Sequence, residues 1–159
     1  MAPSNQISVL SPLLVALATT FCTILVHALI LRTIVAAVRR DLQRGQVGVR
    51  FWADLAFVTS ATLLAFAGHL VEMGVWAMAF YLCGELPDFA AAFYHSAGNY
   101  TTLGDSSVVI SAQWRLLGPL EAADGMLMFG ISTAMIFALI QWLLRARLRL
   151  SDPQSDSAV

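Results

Sequence analysis

Three apolar segments, each long enough to cross a lipid bilayer as a helix, constrain the fold more than any other feature of the chain. They run from Val9 to Val38, from Phe51 to Leu82 and from Leu116 to Leu144. A hydrocarbon core about 30 Å thick requires about 20 helical residues. Only 12% of the residues are charged, which is too little polar surface for a water-exposed globule. The sequence therefore predicts an all-α integral membrane protein with three transmembrane helices.

Arginines at the ends of these segments predict the orientation in the membrane. Four lie in the connection between the first two spans and three follow the third span: Arg39, Arg40, Arg44, Arg50, Arg145, Arg147 and Arg149. Positively charged connections stay in the cytoplasm. We therefore expect a multi-pass protein of the inner or plasma membrane, with its N-terminus outside and its C-terminus cytoplasmic. No dense basic stripe lies outside these ends, so we expect no nucleic-acid partner.

A short apolar segment between the second and third spans is too short to cross the membrane. It reads ELPDFAAAFYHSAG, with Pro87 at the expected helix start, Asp88 in the first turn and the helix end near Gly98. Irregular backbone at membrane depth persists only where it is buried in protein or lines a water-filled path. The segment therefore predicts a re-entrant helix beside a pore or a substrate cavity.

Two motifs in this region resemble the pore domain of potassium-channel-type proteins. The segment AFYHSAGNYTTLGD is similar to the family's pore helix and selectivity filter, and RLLGPLEAADGMLMFGISTA is similar to its inner helix. The earlier segment GHLVEMGVWAMAFY resembles the outer helix of small bacterial members. The resemblance covers Ala92 to Ala134 most closely. It implies a homotetramer around a cation path, with the first span added to a two-span architecture.

This resemblance implies three parts of the chain and no enzyme activity. Residues 1–50 form an N-terminal transmembrane helix and a basic cytoplasmic connection, 51–148 form the pore domain, and 149–159 form a disordered cytoplasmic tail. No nucleophile–base pair or phosphate-binding loop is visible in the sequence. We therefore expect no small-molecule substrate and no cofactor beyond permeant monovalent cations, potassium and sodium. The expected partners are the lipid bilayer and other copies of the chain.

The stretch TTLGD is the predicted selectivity filter. It consists of Thr101, Thr102, Leu103, Gly104 and Asp105. A cation that enters a low-dielectric interior must exchange its water shell for oxygens. The backbone carbonyls from Thr101 to Gly104, with the Thr102 hydroxyl, form stacked rings of oxygens if four chains meet on one axis. The alternative is that Thr-Thr-Leu-Gly forms a turn that holds no ion.

The filter departs from the potassium-selective pattern after Gly104. Potassium-selective members continue as Gly-Tyr-Gly-Asp, whereas this chain continues as Gly104-Asp105-Ser106-Ser107. Without a gap, Asp105 replaces the tyrosine, as in nonselective relatives; with a two-residue gap, Asp105 matches the terminal aspartate of a shortened filter. Both alignments remove outer carbonyl sites, so we expect weak selectivity and an acidic outer mouth. A chain that does not conduct, acting as a scaffold or accessory subunit, remains the alternative.

Ionisable residues inside the spans predict a support for this filter. A carboxylate behind the filter, Glu72 or Glu121, is expected to accept hydrogen bonds from the pore-helix backbone, His95 or His69. The alternative is that these groups are solvated at the headgroup boundary. His27 is expected to bond to a backbone carbonyl. A metal site of His27, His69, His95 and Glu72 is a weaker alternative, because His69-x-x-Glu72 is an isolated pair.

The third span predicts a cavity lining and a gate. A stripe at helical spacing comprises Met126, Phe129, Thr133, Phe137 and Gln141. Phe137 is the gate candidate, because rings of apolar side chains close a pore by dewetting. Gly125 and Gly130 permit either bending, as a hinge, or close packing of helices. The sequence does not distinguish these two roles, and it contains no ladder of arginines from which a voltage sensor could be inferred.

Overall fold

The structure, a computed structural model, describes residues 9–43, 51–104 and 108–151. These ranges contain four helices and no strand: α1 (Leu10–Gln43), α2 (Phe51–Leu82), α3 (Phe89–Tyr100) and α4 (Leu117–Ser151). The predicted all-α fold is confirmed.

Helices α1, α2 and α4 have the length and hydropathy of membrane spans. The spanning segments are Leu10–Arg40, Phe51–Leu82 and Leu117–Leu148. The three predicted spans are therefore confirmed, and the chain is a multi-pass membrane protein. Helices α1 and α4 continue past the predicted apolar ends, because arginine is a good helix former and extends a helix beyond the hydrocarbon core.

Helix α3 begins later and ends later than the sequence predicted. Asp88 is the N-cap, with φ −149° and ψ 167°, and its carboxylate accepts the Ala91 N–H at 2.8 Å. The predicted start at Pro87, with Asp88 in the first turn, is wrong because an aspartate is most stabilising at the N-cap. The helix continues past Gly98 to Tyr100, whose side chain is fully buried. Tertiary packing thus overrides the weak helix propensity of Gly98 and Asn99.

The described residues divide into two compact units. Unit 1 contains the described residues within 1–27 and 68–129, and unit 2 contains those within 28–67 and 130–159. Each long helix contributes a segment to both units. The core of unit 1 is built around Trp76, Phe80 and Tyr100, all fully buried. The core of unit 2 contains residues from all three long helices: Ile34, Ala61, Leu139 and Leu143.

Unit 2 also contains an ion pair between α2 and α4. The Arg147 guanidinium donates to Asp54 Oδ2 from Nε at 2.9 Å and from Nη2 at 2.7 Å. The same guanidinium lies over the Phe51 ring, 5.1 Å from its centroid. Arg147 therefore connects the end of α4 to the start of α2, through an ion pair with Asp54 and a cation–π contact with Phe51.

Large apolar side chains on the outside of the chain are numerous. Leu17, Leu63, Leu127 and Phe137 are each more than 60% exposed in the single chain. A soluble monomer rarely exposes so many large apolar side chains. These faces suit contact with lipid or with further copies of the chain.

Candidate functional site

Helix α3 lies at the centre of a buried polar network in unit 1. Its buried side chains are Ala92, His95, Ser96 and Tyr100, and three of these four are polar. Buried polar groups require hydrogen-bond partners. The partners lie mainly on α2 and α4, so the network fixes α3 between these two helices.

Ser96 connects the middle of α3 to both neighbouring helices. Its hydroxyl lies 2.7 Å from the Met73 carbonyl oxygen and 2.5 Å from Glu121 Oε1. A hydroxyl carries one proton, and a carbonyl and a carboxylate are both acceptors. Both bonds form together when Ser96 donates to Met73 and a protonated Glu121 donates to Ser96. Glu121 is fully buried.

Glu72 connects the end of α3 to the first helix. Its Oε2 accepts the Tyr100 hydroxyl and lies 3.0 Å from His69 Nδ1. Its Oε1 lies 2.8 Å from His27 Nδ1, so this carboxylate joins α1, α2 and α3. The glutamate is fully buried, and both histidines are less than 5% exposed. The predicted partner of His27, a backbone carbonyl, is wrong for Nδ1, because the Glu72 carboxylate occupies that position.

Asp124 provides a second connection among the long helices. Its Oδ2 accepts hydrogen bonds from Thr23 Oγ1 and from Trp76 Nε1, both at 2.8 Å. Within the described part of the chain, its other oxygen, Oδ1, is buried without a hydrogen-bond partner. Glu72, Glu121 and Asp124 are each at most 2% exposed. The alternative that these carboxylates are solvated at a headgroup boundary is therefore wrong.

His95 lies on the same face of α3, one turn before the helix ends. Its Nε2 accepts the Asn99 side-chain amide at 2.9 Å, and its ring packs edge-on against Phe80 with centroids 4.9 Å apart. A cavity of about 510 Å³ is lined by His95, Asn99, Thr102 and Gly104 together with the exposed Arg115. His95 is thus adjacent to the segment that follows α3.

Two residues after α3 have left-handed backbone conformations. Thr101 caps the helix with φ −84° and ψ 3°, and Thr102 and Gly104 follow with φ 61° and φ 74°. Their N–H groups donate back to α3: Thr102 to Asn99 at 2.8 Å and Gly104 to Gly98 at 3.0 Å. Left-handed backbone costs a β-branched threonine about 1–3 kcal/mol, and such strain clusters at functional sites.

The carbonyl groups of this segment remain available. All four residues from Thr101 to Gly104 are exposed in the single chain, and Leu103 is 85% exposed. Among the residues that the structure describes, no hydrogen bond ends on any of their four carbonyl oxygens. Backbone oxygens in this state are ready to accept an external donor or a cation. The remaining predicted filter residue, Asp105, lies outside the described residues.

The two glycines of α4 have different surroundings. A Cβ on Gly125 would lie 2.1 Å from the Tyr100 carbonyl oxygen, whereas a Cβ on Gly130 would have nothing within 4 Å. Gly125 thus permits close approach of α4 to the end of α3. Of the two alternatives from the sequence, close packing is the one that this geometry favours for Gly125.

The predicted cavity stripe on α4 is not uniform in its burial. Met126 and Phe137 are 59% and 63% exposed, and Thr133 is also exposed. Phe129 is half-buried, with its ring centroid 4.3 Å from that of His69 and 5.5 Å from that of Tyr100. Gln141 is half-buried. Phe129 therefore packs within its own chain, beside the polar network.

Three parts of the network were absent from the sequence prediction: Ser96 as the partner of Glu121, Tyr100 as the partner of Glu72, and the link from Glu72 to His27. Ser96 and Tyr100 are four residues apart and therefore share one helical face. That spacing was a signal for a polar face on α3. The link to His27 joins residues 45 positions apart and has no local signal in the sequence.

The central part of the chain matches a known family. Residues 68–141 match the family model described as "Ion channel", a family of pore-loop channels with two spans. Over these residues the chain is similar to this ion-channel family, and the resemblance to potassium-channel-type pore domains is confirmed. No curated protein and no solved structure matches the chain. The first helix precedes the matched range.

Proposed function

We propose that this chain, which matches an ion-channel family model over residues 68–141, assembles as a homotetramer and conducts monovalent cations along the axis where four copies of Thr101–Gly104 meet. The observation that carries the proposal is the segment after α3, whose residues are exposed and whose carbonyl oxygens accept no hydrogen bond among the described residues. One chain supplies oxygens from one side of an ion only. Four chains in a closed ring surround the ion with oxygens and replace its hydration shell.

Helix α3 favours a cation in this assembly. It is re-entrant in the proposed membrane arrangement, and its C-terminal end at Tyr100 adjoins the filter segment. The C-terminal end of a helix carries a partial negative charge. Four such ends around one axis stabilise a cation below the filter. The outer end of the axis is formed by Asp105, whose carboxylates we assign to an acidic mouth.

Selectivity among monovalent cations is weak in this proposal. The chain lacks the Tyr-Gly pair of the potassium-selective pattern, so fewer carbonyl rings are available than in that pattern. A shorter stack of rings discriminates less between potassium and sodium, because fewer coordination sites contribute to the difference in binding free energy.

Two buried carboxyl groups hold the filter in place. Glu72 accepts the Tyr100 hydroxyl at the end of α3, and Glu121 bonds to Ser96 one turn earlier. Both bonds are fully buried, so they position α3 without competition from water. His95 adds a contact to Asn99 on the same face.

Helix α4 lines the cavity below the filter in this proposal. Met126, Thr133 and Phe137 are exposed on the single chain and are available to face the axis. Phe137 narrows the cytoplasmic end, where apolar rings exclude water. The arginines of the α1–α2 connection and of the C-terminal end support a cytoplasmic location for these ends, with the N-terminus outside.

A non-conducting scaffold is the second candidate. The Gly104 N–H bonds back to the Gly98 carbonyl, which folds the segment against α3 as an ion-free turn would. In a scaffold, the tetramer would form with a closed axis. The two candidates differ in whether ions cross the membrane.

Bi-ionic reversal potentials on the purified protein in planar bilayers test the proposal. Potassium on one side and sodium on the other should give a current that reverses near zero, which indicates weak selectivity. Asp105→Asn should reduce the single-channel conductance while retaining the current, because the acidic mouth concentrates cations. A reversal potential close to the potassium equilibrium value would contradict weak selectivity. Absence of current from a well-folded tetramer would favour the scaffold.

A further inference from the structure

We propose that His27, His69 and Glu72 form a binding site for a divalent transition-metal cation of the zinc type, between the first helix and the end of α3. One nitrogen from each histidine and one carboxylate oxygen lie within 4.8 Å of one another. The three ligands come from two helices: His27 from α1, and His69 and Glu72 from α2. Two imidazoles and a carboxylate are a common zinc ligand set.

The positions of the ligand atoms fit such an ion after a small expansion. His27 Nδ1 lies 2.8 Å from Glu72 Oε1, and His69 Nδ1 lies 3.0 Å from Glu72 Oε2. Tetrahedral zinc, with bonds of about 2.0–2.1 Å, places its ligand atoms roughly 3.3 Å apart. The three ligand atoms already lie within 4.8 Å of one another, so small side-chain rotations would bring them to the spacing that an ion requires. The ion then replaces the protons that the imidazoles share with the carboxylate.

A fourth ligand position is also provided. The Tyr100 hydroxyl lies 3.1 Å from His69 Nδ1 and bonds to Glu72 Oε2. It is placed to bind the ion directly or to orient a water in the fourth position. The ligand cluster and this hydroxyl are buried, so bulk water does not compete for the site.

The charge around the cluster favours a cation. Asp124 is 2% exposed, and its Oδ1 is buried without a hydrogen-bond partner in the described ranges. Unit 1 contains one basic residue apart from histidine, Arg115, which is exposed. Buried carboxylates without a buried arginine or lysine are costly, and a divalent cation offsets that cost.

The site links the first helix to the filter. An ion that binds Glu72 changes the bond between Glu72 and Tyr100, which holds the end of α3. Metal binding should therefore alter ion flux. This consequence rests on the proposed channel function, whereas metal binding itself does not.

Titration of the EDTA-treated, full-length protein with Co²⁺ tests the site. We expect saturable binding of one ion per chain, with the visible absorption of tetrahedral Co²⁺, and displacement by Zn²⁺. His27→Gln should weaken binding by at least about 100-fold, since loss of a ligand exceeds the effect of losing a supporting group. His95→Gln is the matched control, because His95 is equally buried in the same unit but lies outside the cluster. It should retain the binding and the absorption.

Three results would overturn the proposal: no saturable Co²⁺ binding by the wild-type protein, binding that His27→Gln leaves unchanged, or binding that His95→Gln abolishes equally. If His27→Gln lowers the stability of the protein, the shift in Tm on addition of Zn²⁺ provides a second test of metal binding. Zn²⁺ should raise the Tm of the wild type and leave the Tm of His27→Gln unchanged. Metal binding without an effect on flux would contradict the link to the filter, while the binding site would stand.

Discussion

The close contact between Gly125 and the end of α3 predicts that an alanine at position 125 destabilises the protein. A Cβ at position 125 would lie 2.1 Å from the Tyr100 carbonyl oxygen, 3.0 Å from its carbonyl carbon and 3.1 Å from its Cγ. The nearest atoms belong to the backbone of α3, so no side-chain rotation relieves the overlap. In Gly125→Ala, α3 must move by about 1 Å or more from α4 to restore ordinary contact distances.

The expected cost lies at the upper end of the range for overpacked cores, about 3 kcal/mol. For a chain of this size, each kcal/mol lowers the Tm by about 2–4 °C, which predicts a Tm lower by about 6–12 °C. The displaced end of α3 should also remove most of the ion flux. Gly130→Ala is the matched control on the same helix, because its Cβ would have nothing within 4 Å. It should be neutral or stabilising by up to about 1 kcal/mol, as expected for alanine in a helix.

Thermal unfolding of both variants in one detergent, together with flux from proteoliposomes, measures these effects. A hinge role for both glycines instead predicts that each variant alters flux with little change in Tm. An unchanged Tm for Gly125→Ala would therefore refute the close-packing argument.

The remaining predictions concern the polar contacts of α3 and the ion pair of unit 2. Tyr100→Phe removes a donor to buried Glu72 and should lower the free energy of unfolding by about 1–3 kcal/mol. The control Tyr94→Phe, at a position 70% exposed, should change it by no more than about 0.5 kcal/mol. Equal effects of the two variants in unfolding titrations would contradict the network. Ser96→Ala should lower both Tm and flux, because Glu121 loses its partner, while Ser60→Ala on the exposed surface should change neither. A double-mutant cycle of Asp54→Asn and Arg147→Gln should give a coupling of about 1 kcal/mol that decreases with salt; zero coupling would contradict a stabilising pair.

The sequence predicted the helices well because their signals are local. Apolar length and the flanking arginines defined three spans, and the short segment after Gly84 predicted a fourth, shorter helix. The ends of α3 were less predictable. Burial of Tyr100 extends the helix past Gly98, and the hydrogen bond that the Ala91 N–H donates to the Asp88 carboxylate sets its start. Both effects depend on three-dimensional context.

The polar network was only partly predictable for the same reason. Glu72 and Glu121 were expected behind the filter because carboxylates are costly inside a span. His69 was among the expected partners and lies 3.0 Å from Glu72. Ser96 and His27 were not identified as partners, since they lie 25 and 45 positions away from Glu121 and Glu72. Helix rotation decides which of several polar side chains meet across an interface, and a span that is apolar on most faces does not reveal that rotation.

The central claim is that ions pass through the segment from Thr101 to Gly104, and potassium and sodium flux from proteoliposomes tests it most directly. Gly104→Ala should abolish flux, because Gly104 has φ 74° and a Cβ penalises that conformation. Gly84→Ala is the matched control: Gly84 also has φ 74°, also has open space around its Cβ, and lies outside the filter segment. The account predicts flux of both ions in the wild type and in Gly84→Ala, and none in Gly104→Ala. Equal flux in all three proteins would contradict it.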